Sequence, residues 1–572
     1  MLRLLSWIAD DQGRFLAVSQ TLLFGFAALI VAGTASRRLG AALSTWRGKL
    51  LFMAFALLVI VGGRWPTFFV RDPLNQDEAQ ALAQAITALH NPIPWLEFDG
   101  NTCGPLNTYV LTLPALFGQH LTFLSTRIIT ILLEFGATVA LYFCAELTFD
   151  SGVARIAVAA PVAFFTLCVT DDLMHYTGAH LSIFLGMLTL LCICVAYRRR
   201  FRGASMFWVG LVAGMMPFAK LQSVPLAGAT VAVALVSLAT TPDLDLSVRL
   251  RGAARLLIGL LTAPAILLGA ATLGGSIYDF YVSYILSSLA YILWEYRPIT
   301  FVTATPGFGP FFDGLVALCA LAALLLVTRW RRITPAARNA YVAALIVLGG
   351  AIWTIFAPKR GSISYLPFGV MPASVAGAAA VGLIATWFGA AGDARLRRTA
   401  LAVAFVVLCL GTNAAFTRPP NPHLDALDDY LNGPPDPVTA MVQHYITPGQ
   451  RLAVWGWRPQ YVVESDTLLG TRDSITAYQF GPSLNPYLDY FRQRYITDFE
   501  RNKPAGFLDS GPDSFDFSGK GQFGHEIFPQ LDALIRRDYH LVASVNFFRL
   551  YLRNDLASLE PQSVSSTRRL PL

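Results

Sequence analysis

Charge is what this chain has least of. Only 14% of its 572 residues are charged, 55% are hydrophobic, and the mean hydropathy is +0.51. Soluble domains carry far more charge, so the composition excludes that class and indicates an integral membrane protein. Cysteine is scarce as well. Of seven cysteines only Cys103 lies clearly outside an apolar run, and the polar C-terminal part has none. A disulfide scaffold is thereby excluded. Cys192-x-Cys194 sits mid-span without the further ligands a metal site wants, and reads as small apolar packing. Arg3 and Asp10-Asp11 flank no cleavable apolar segment, so no removable signal peptide is expected. Internal repeats and a phosphate-binding glycine loop are also missing.

The charge that is present is unevenly placed. The net +7 comes from short loops between apolar runs: Arg37, Arg38, Arg47 and Lys49, then Arg198–Arg200 and Arg202, then Arg329, Arg331, Arg332 and Arg338, then Arg395, Arg397 and Arg398. The positive-inside rule predicts that these loops are cytoplasmic. The intervening loops hold the acids Asp77, Glu78, Glu97, Asp99, Asp171, Asp172, Asp279 and Glu295. The basicity is thus a topology signal and argues against a nucleic-acid partner.

About twelve stretches reach the roughly 20 apolar residues a span needs. They lie near 15–33, 48–64, 123–147, 153–170, 174–197, 204–220, 222–240, 254–273, 310–328, 340–357, 364–389 and 399–416. Alternating them from the basic loops places both termini outside, together with every acid-bearing loop. The expected architecture is an α-helical polytopic membrane domain over 1–416 and a soluble α/β domain over 417–572, beginning after Arg418-Pro419-Pro420. Two outer loops are long, 65–122 and 274–310. Within the first, Gly104–Gly118 is too short to span and reads as an interfacial helix, with Asn107 and Tyr109 at the water and leucines in lipid. The second is rich in Tyr and Phe, with Trp294, as at a membrane interface. In the C-terminal part, strands are expected at Arg451–Trp457 and Gly506–Asp509, a helix at Gly524–Arg537 and a hairpin at His540–Leu552.

The acidic pair Asp77-Glu78 follows the second span directly. A helix N-terminus accounts for one acid through the macrodipole but less readily for two adjacent ones beside a bilayer. Such a carboxylate can accept a proton from an attacking hydroxyl. Asp171-Asp172 repeats the pattern after a later span. Capping uses one of that pair, leaving an extra acid beside His175, while His180 reads as packed. Lys220 and Lys359-Arg360 are cations on the side where the positive-inside rule disfavours them. A snorkelling lysine is one account; an anionic ligand such as a lipid-linked phosphate is the other. Arg127 and Arg297 are weaker candidates that could equally neutralise a nearby acid.

The order of these features resembles the GT-C glycosyltransferases, in their protein O-mannosyltransferase and lipid A aminoarabinose transferase branch. Asp77-Glu78 is followed by Gly104-Pro105-Leu106-x-x-Tyr109, Leu113–Gly118, the Arg127-led span, Asp171-Asp172, Lys220 after a glycine-containing span, and the turn Lys359–Tyr365. The resemblance covers roughly residues 48–416. It implies an inverting transfer of a sugar from a polyprenyl-phosphate donor to a glycan, lipid or protein acceptor, at the periplasmic face of a bacterial inner membrane. By the same carry-over Asp77 is the general base, Glu78 its orienting neighbour, and Asp171 or Asp172 a second acidic site. Lys220, Lys359 and Arg360 hold the donor phosphate, with Tyr365, Arg127, His175 and Tyr109 as further donor-site candidates. No cofactor is called for, and a divalent cation is compatible but not indicated. The chain departs from the pattern at Thr102-Cys103-Gly104, where a Lys or His often stands, and after Pro105-Leu106, where the usual aromatic pair is reduced to Asn107-Thr108-Tyr109. A flippase for a lipid-linked saccharide and a non-catalytic envelope scaffold are the competing readings. Span interiors nearly free of charge, with Glu134 and Glu146 the exceptions, argue against the flippase.

Overall fold

The computed structural model describes residues 2–294, 308–329, 331, 333–358, 363–389, 398–399, 401–403, 405–406, 421–479, 486–510 and 524–556. Among these, eight helices are long and apolar enough to cross a membrane, and three shorter apolar helices, Ser151–Leu167, Ser205–Ala219 and Ala317–Thr328, accompany them. The span expected at 399–416 lies mostly outside the described residues. We label α1 Gln12–Ala35, α2 Trp46–Arg64, α3 Gln76–Ala88, α4 Pro105–Leu111, α5 Phe123–Thr148, α6 Gly178–Arg198, α7 Ser205–Ala219, α8 Val224–Thr240, α9 Leu246–Leu273, α10 Pro335–Phe356 and α11 Pro367–Gly389.

Contacts at the helix ends define two faces. At one, Lys49 pairs with Glu146 at 2.7 Å, Arg398 with Asp150 at 3.1 Å, and Arg198 donates to the Leu147 carbonyl. At the other lie Asp77, Asp171, Lys220 and the C-terminal part. The N-terminus joins this second face, since the Gln12 side chain accepts from the Asn421 N–H at 3.2 Å. Glycine sets one close crossing: a Cβ at Gly210 would strike the Leu256 carbonyl, one at Gly214 the Leu260 carbonyl, and one at Gly259 the Phe207 carbonyl. With side chains absent at those points, the backbones of α7 and α9 approach closely, as small residues permit in lipid.

Three expectations need correction. The stretch 153–170 is two short helices, Ser151–Ala157 and Ala159–Leu167, and α6 starts at Gly178, not 174. Residues 171–177 instead form a short helical turn, Asp171–Met174, and a connection at the second face. Gly104–Gly118 is α4 plus a 3-10 turn; Leu116 and Phe117 are exposed as expected of a lipid contact, but Asn107 is buried in protein. The described part of the second long loop is helical, including a π-helical stretch Phe280–Leu286.

The C-terminal part is one five-stranded mixed sheet, with β1 Arg451–Trp455, β2 Leu468–Leu469, β3 Gly506–Asp509, β4 Tyr539–Val545 and β5 Phe548–Arg553 in the order β2-β1-β3-β5-β4. β1 runs parallel to β2 and β3, whereas β5 is antiparallel to β3 and β4. Leu452, Val454 and Leu508 pack on one side, Ala453, Trp455 and Phe507 on the other. Burial of both faces explains why the strand reads as an unbroken apolar run. The second face is covered by α12, Leu488–Asn502, through Tyr495 and Phe499. The first includes Ala83 of α3, so the helix that carries Asp77 is part of the sheet's own core. Thr87 Oγ1 on α3 also accepts the Leu469 N–H at 3.0 Å.

One buried ion pair anchors α3, and a second system of ion pairs ties the C-terminal part to the two outer loops. Arg127 at the start of α5 is 2% exposed and Glu78 is 0% exposed. Nε and Nη2 of the arginine reach the carboxylate at 3.3 and 3.1 Å, and the remaining donors go to the carbonyls of Thr67, Val70 and Asp72. All five guanidinium N–H groups are thereby used. The second system centres on Arg494, Arg472 and four acids, with Arg501 also reaching Asp498 at 3.3 Å. Arg494 bridges Asp99 of the first outer loop, at 2.7 Å, and Asp473. Arg472 holds Asp498 at 2.7 Å and reaches Asp279 of the second outer loop at 2.8 Å. With negative charge in excess, burial pushes the Asp473 carboxyl up to about 7 against the opposing pull of Arg494.

Removing either partner of the Glu78–Arg127 pair strands a buried charge, at a cost of about 3–5 kcal/mol. Arg127→Met and Glu78→Leu should each lower the thermal unfolding temperature of the purified chain sharply, while the double variant recovers most of the loss; an additive double variant would refute the pairing. Because the folded chain keeps the Asp473 proton where the unfolded chain has lost it, the stabilisation from this group is complete below the ordinary value of 3.8 and disappears as pH rises through about 7. Asp473→Asn should therefore flatten the pH dependence of unfolding over that interval, as read by thermal scans in detergent.

Candidate functional site

The site is built at the N-terminus of α3. Asn75 caps the helix: its Oδ1 accepts the Asp77 N–H at 2.9 Å, and its Nδ2 donates to Asp172 Oδ1 at 2.7 Å. The two acidic pairs, separate in sequence, are joined through this one amide. Glu78 is engaged with Arg127 and also accepts the Leu74 N–H at 3.0 Å. Asp77 is half-buried, and its carboxylate makes no hydrogen bond or ion pair with any described residue. Of the two neighbours, one is locked and the other is free to meet a ligand.

Asp171 is taken up by a residue far away in the chain. His423 Nε2, from the segment leading into the sheet, lies 2.6 Å from Asp171 Oδ1. His175 is fully buried; its Nδ1 lies 3.1 Å from the Asp171 carbonyl, and its Nε2 has no hydrogen-bond partner among the described residues. Burial lowers the basicity of this imidazole, against the opposite pulls of Asp77 and Glu78. His180, expected to be packed, is packed beside Glu134: Nε2 lies 3.3 Å from Oε1, out of hydrogen-bonding line, while Arg64 approaches the other carboxylate oxygen at 3.3 Å.

Lys220 caps the C-terminal end of α7 in extended conformation and pairs there with Cys103 across an isolated antiparallel bridge. The Leu221 N–H donates to the Thr102 carbonyl at 3.2 Å and the Gly104 N–H to Ala219 at 3.1 Å, fixing Lys220 against the Thr102–Gly104 segment. Its side chain is 4% exposed. Nζ meets the Thr177 hydroxyl at a long 3.4 Å and lies 5.3 Å from the centre of the Tyr365 ring. No carboxylate of a described residue pairs with it. Burying an ammonium without a counter-charge is costly, so the arrangement is unusual for a purely structural lysine.

Cys103 is the bridge partner of Lys220. Burial raises its thiol pKa, while Lys220 lowers it and Asp77 raises it. Asp77, Asp172, His175, Lys220 and Tyr365 gather at this face, Tyr365 with its hydroxyl 3.3 Å from that of Tyr291. Arg127 has no donor left for a phosphate, and Tyr109 is turned to the Pro92 carbonyl at 2.5 Å, where burial pushes its pKa up to about 12. Lys359, Arg360 and Arg297 lie outside the described residues. Sequence reasoning missed Asn75, Cys103 and His423; an N-cap asparagine two residues before the acidic pair was the available signal for the first, and none existed for His423. Asp509, His525 and Glu526 form a group of metal-ligand type in the sheet domain, but Arg549 already bridges Glu526, at 2.9 Å, and Asp509. That guanidinium holds the Glu526 carboxyl at about 2.

No protein-family model matches the chain, and no curated protein sequence does. Solved structures do. ArnT from Cupriavidus metallidurans in the apo state is 15% identical, with a TM-score of 0.50 over 90% of this chain and 99% of that one. The same protein bound to undecaprenyl phosphate is 17% identical, TM-score 0.49, over 90% and 100%. The Archaeoglobus fulgidus oligosaccharyltransferase tethered with an acceptor peptide is 12% identical, TM-score 0.45, over 82% and 69%. The likeness to apo ArnT is one of fold, and it spans nearly the whole of both chains.

Proposed function

We propose that the chain is an inverting glycosyltransferase that moves a sugar from a polyprenyl-phosphate donor to an acceptor at its Asp77 face. In this reading residues 1–416 are the catalytic membrane domain, 417–572 a periplasmic domain, and the arginine-rich loops face the cytoplasm of a bacterial inner membrane. One observation carries it: among the described residues the half-buried Asp77 carboxylate has no partner and the buried Lys220 ammonium no counter-charge, and both lie at the same face of the helices. A base and an anion site on one face are what the reaction needs. The fold likeness to ArnT is consistent with it.

Asp77 takes the proton from the acceptor hydroxyl as the oxygen attacks the anomeric carbon. The bond from that carbon to the phosphate oxygen breaks, and its electron pair leaves with the polyprenyl phosphate. Lys220 balances the charge that grows there, in a site where desolvation strengthens the attraction. Asp172, through Asn75, fixes the turn that carries Asp77. Lys359 and Arg360 are assigned to the same phosphate on the sequence resemblance alone. The flippase reading loses ground, because the two acids inside described spans are paired: Glu134 with Arg64 at 3.3 Å and Glu146 with Lys49 at 2.7 Å. Neither is left to line a path through the bilayer.

Asp77→Asn should lower turnover of a polyprenyl-phosphate sugar by about 10²–10⁴-fold with an unchanged unfolding temperature. Full activity in the purified variant would remove Asp77 as the base. Lys220→Gln should weaken binding of polyprenyl phosphate itself, measured by its retention in detergent; unaltered retention would end the phosphate role.

A further inference from the structure

A cavity of about 580 Å³ opens at the face opposite Asp77, where α5, α6 and α8 end and α10 begins. Along α5, Thr148 at this cavity is about 30 Å from Arg127 at the catalytic face. Its walls are apolar, including Leu190, Val233, Val347 and Val375, and the small side chains of Ala343 and Ala379 leave the space open. The cavity opens to the surface, its lining is mostly apolar, and its size lies within the range of ligand pockets. In a membrane the available filler is a hydrocarbon chain.

The rim is of different chemistry. Arg198, Thr240 and Asn339 border the opening. Arg198 is exposed and gives Nε and Nη2 to the Leu147 carbonyl, at 2.9 and 2.5 Å, which holds the guanidinium at the mouth with Nη1 unused. Arg199, Arg200 and Arg202 follow directly in sequence. Asp243 and Asp245 are the acids of the neighbouring loop, and Arg200 is turned toward the Asp243 carbonyl at 3.1 Å. Positive charge is therefore in excess at the mouth of an apolar slot, which is the complement of a lipid phosphate above an acyl chain.

We propose that this cavity binds an anionic diacyl phospholipid of the arginine-rich leaflet, one acyl chain lying between α5, α8 and α10 and the phosphate on Arg198. The assignment is independent of the reaction proposed at Asp77. The full chain, purified in detergent, would be incubated with phosphatidylglycerol or with phosphatidylcholine of the same acyl chains and examined by native mass spectrometry. Phosphatidylglycerol should be retained roughly fivefold more than phosphatidylcholine, the size of one basic contact at a membrane surface. Arg198→Gln should abolish that preference, and Ala343→Phe, which fills the slot, should reduce retention of both lipids; unchanged unfolding temperatures confirm intact variants. Equal retention of the two lipids by the unaltered chain, or a preference that survives both substitutions, overturns the proposal. So does displacement of the phospholipid by polyprenyl phosphate alone, which would assign the slot to the donor's tail.

Discussion

The Arg127–Glu78 pair is the constraint on which the site depends. Every N–H of the guanidinium is committed, three of its acceptors being carbonyls of the 67–72 segment. That single side chain therefore fixes the exit of α2, the start of α5 and the first turn of α3 relative to one another. A buried pair of this kind contributes little net stability compared with an apolar replacement, and its value lies in the geometry it enforces. Once Glu78 is held, the direction of its neighbour follows from the helix: adjacent residues point to different sides, so Asp77 faces away from Arg127.

Around that anchor, charges divide into satisfied and unsatisfied groups. Glu78, Asp171, Asp172, Glu134 and Glu146 all have partners within the fold. Asp77 and Lys220 have no opposite charge paired with them among the described residues. In a chain with so few charges, two lone ones at one face point to chemistry more strongly than any acidic pair does as a motif. Lys220 is seated by backbone pairing with Thr102–Gly104, so its position does not depend on having a counter-ion of its own.

The sheet domain is fastened to the same framework. Arg494 and Arg472 reach both outer loops, while Ala83 and Thr87 of α3 enter the sheet's core and edge. The helix that carries Asp77 is consequently shared between the bundle of apolar helices and the sheet domain. His423 extends the link to Asp171. This gives the domain a role in holding the site that needs no catalytic residue of its own.

Length, hydrophobic runs and the placement of arginines were sufficient to determine the membrane class, most of the spans, the two faces and the strands at Arg451, Gly506 and His540, because these depend on local composition and periodicity. The lone acids and cations were visible too, as charges where a bilayer disfavours them. Which acid of each pair is free was decided only by tertiary structure. Glu78 and Asp77 are chemically alike and adjacent, and only the arrival of Arg127 from 49 residues away separates them. The same holds for Asp171 with His423 and for Asp99 with Arg494, whose partners are 252 and 395 residues distant. Ion pairs over such separations leave no periodic trace in a sequence, since their geometry exists only after the helices and the sheet have packed.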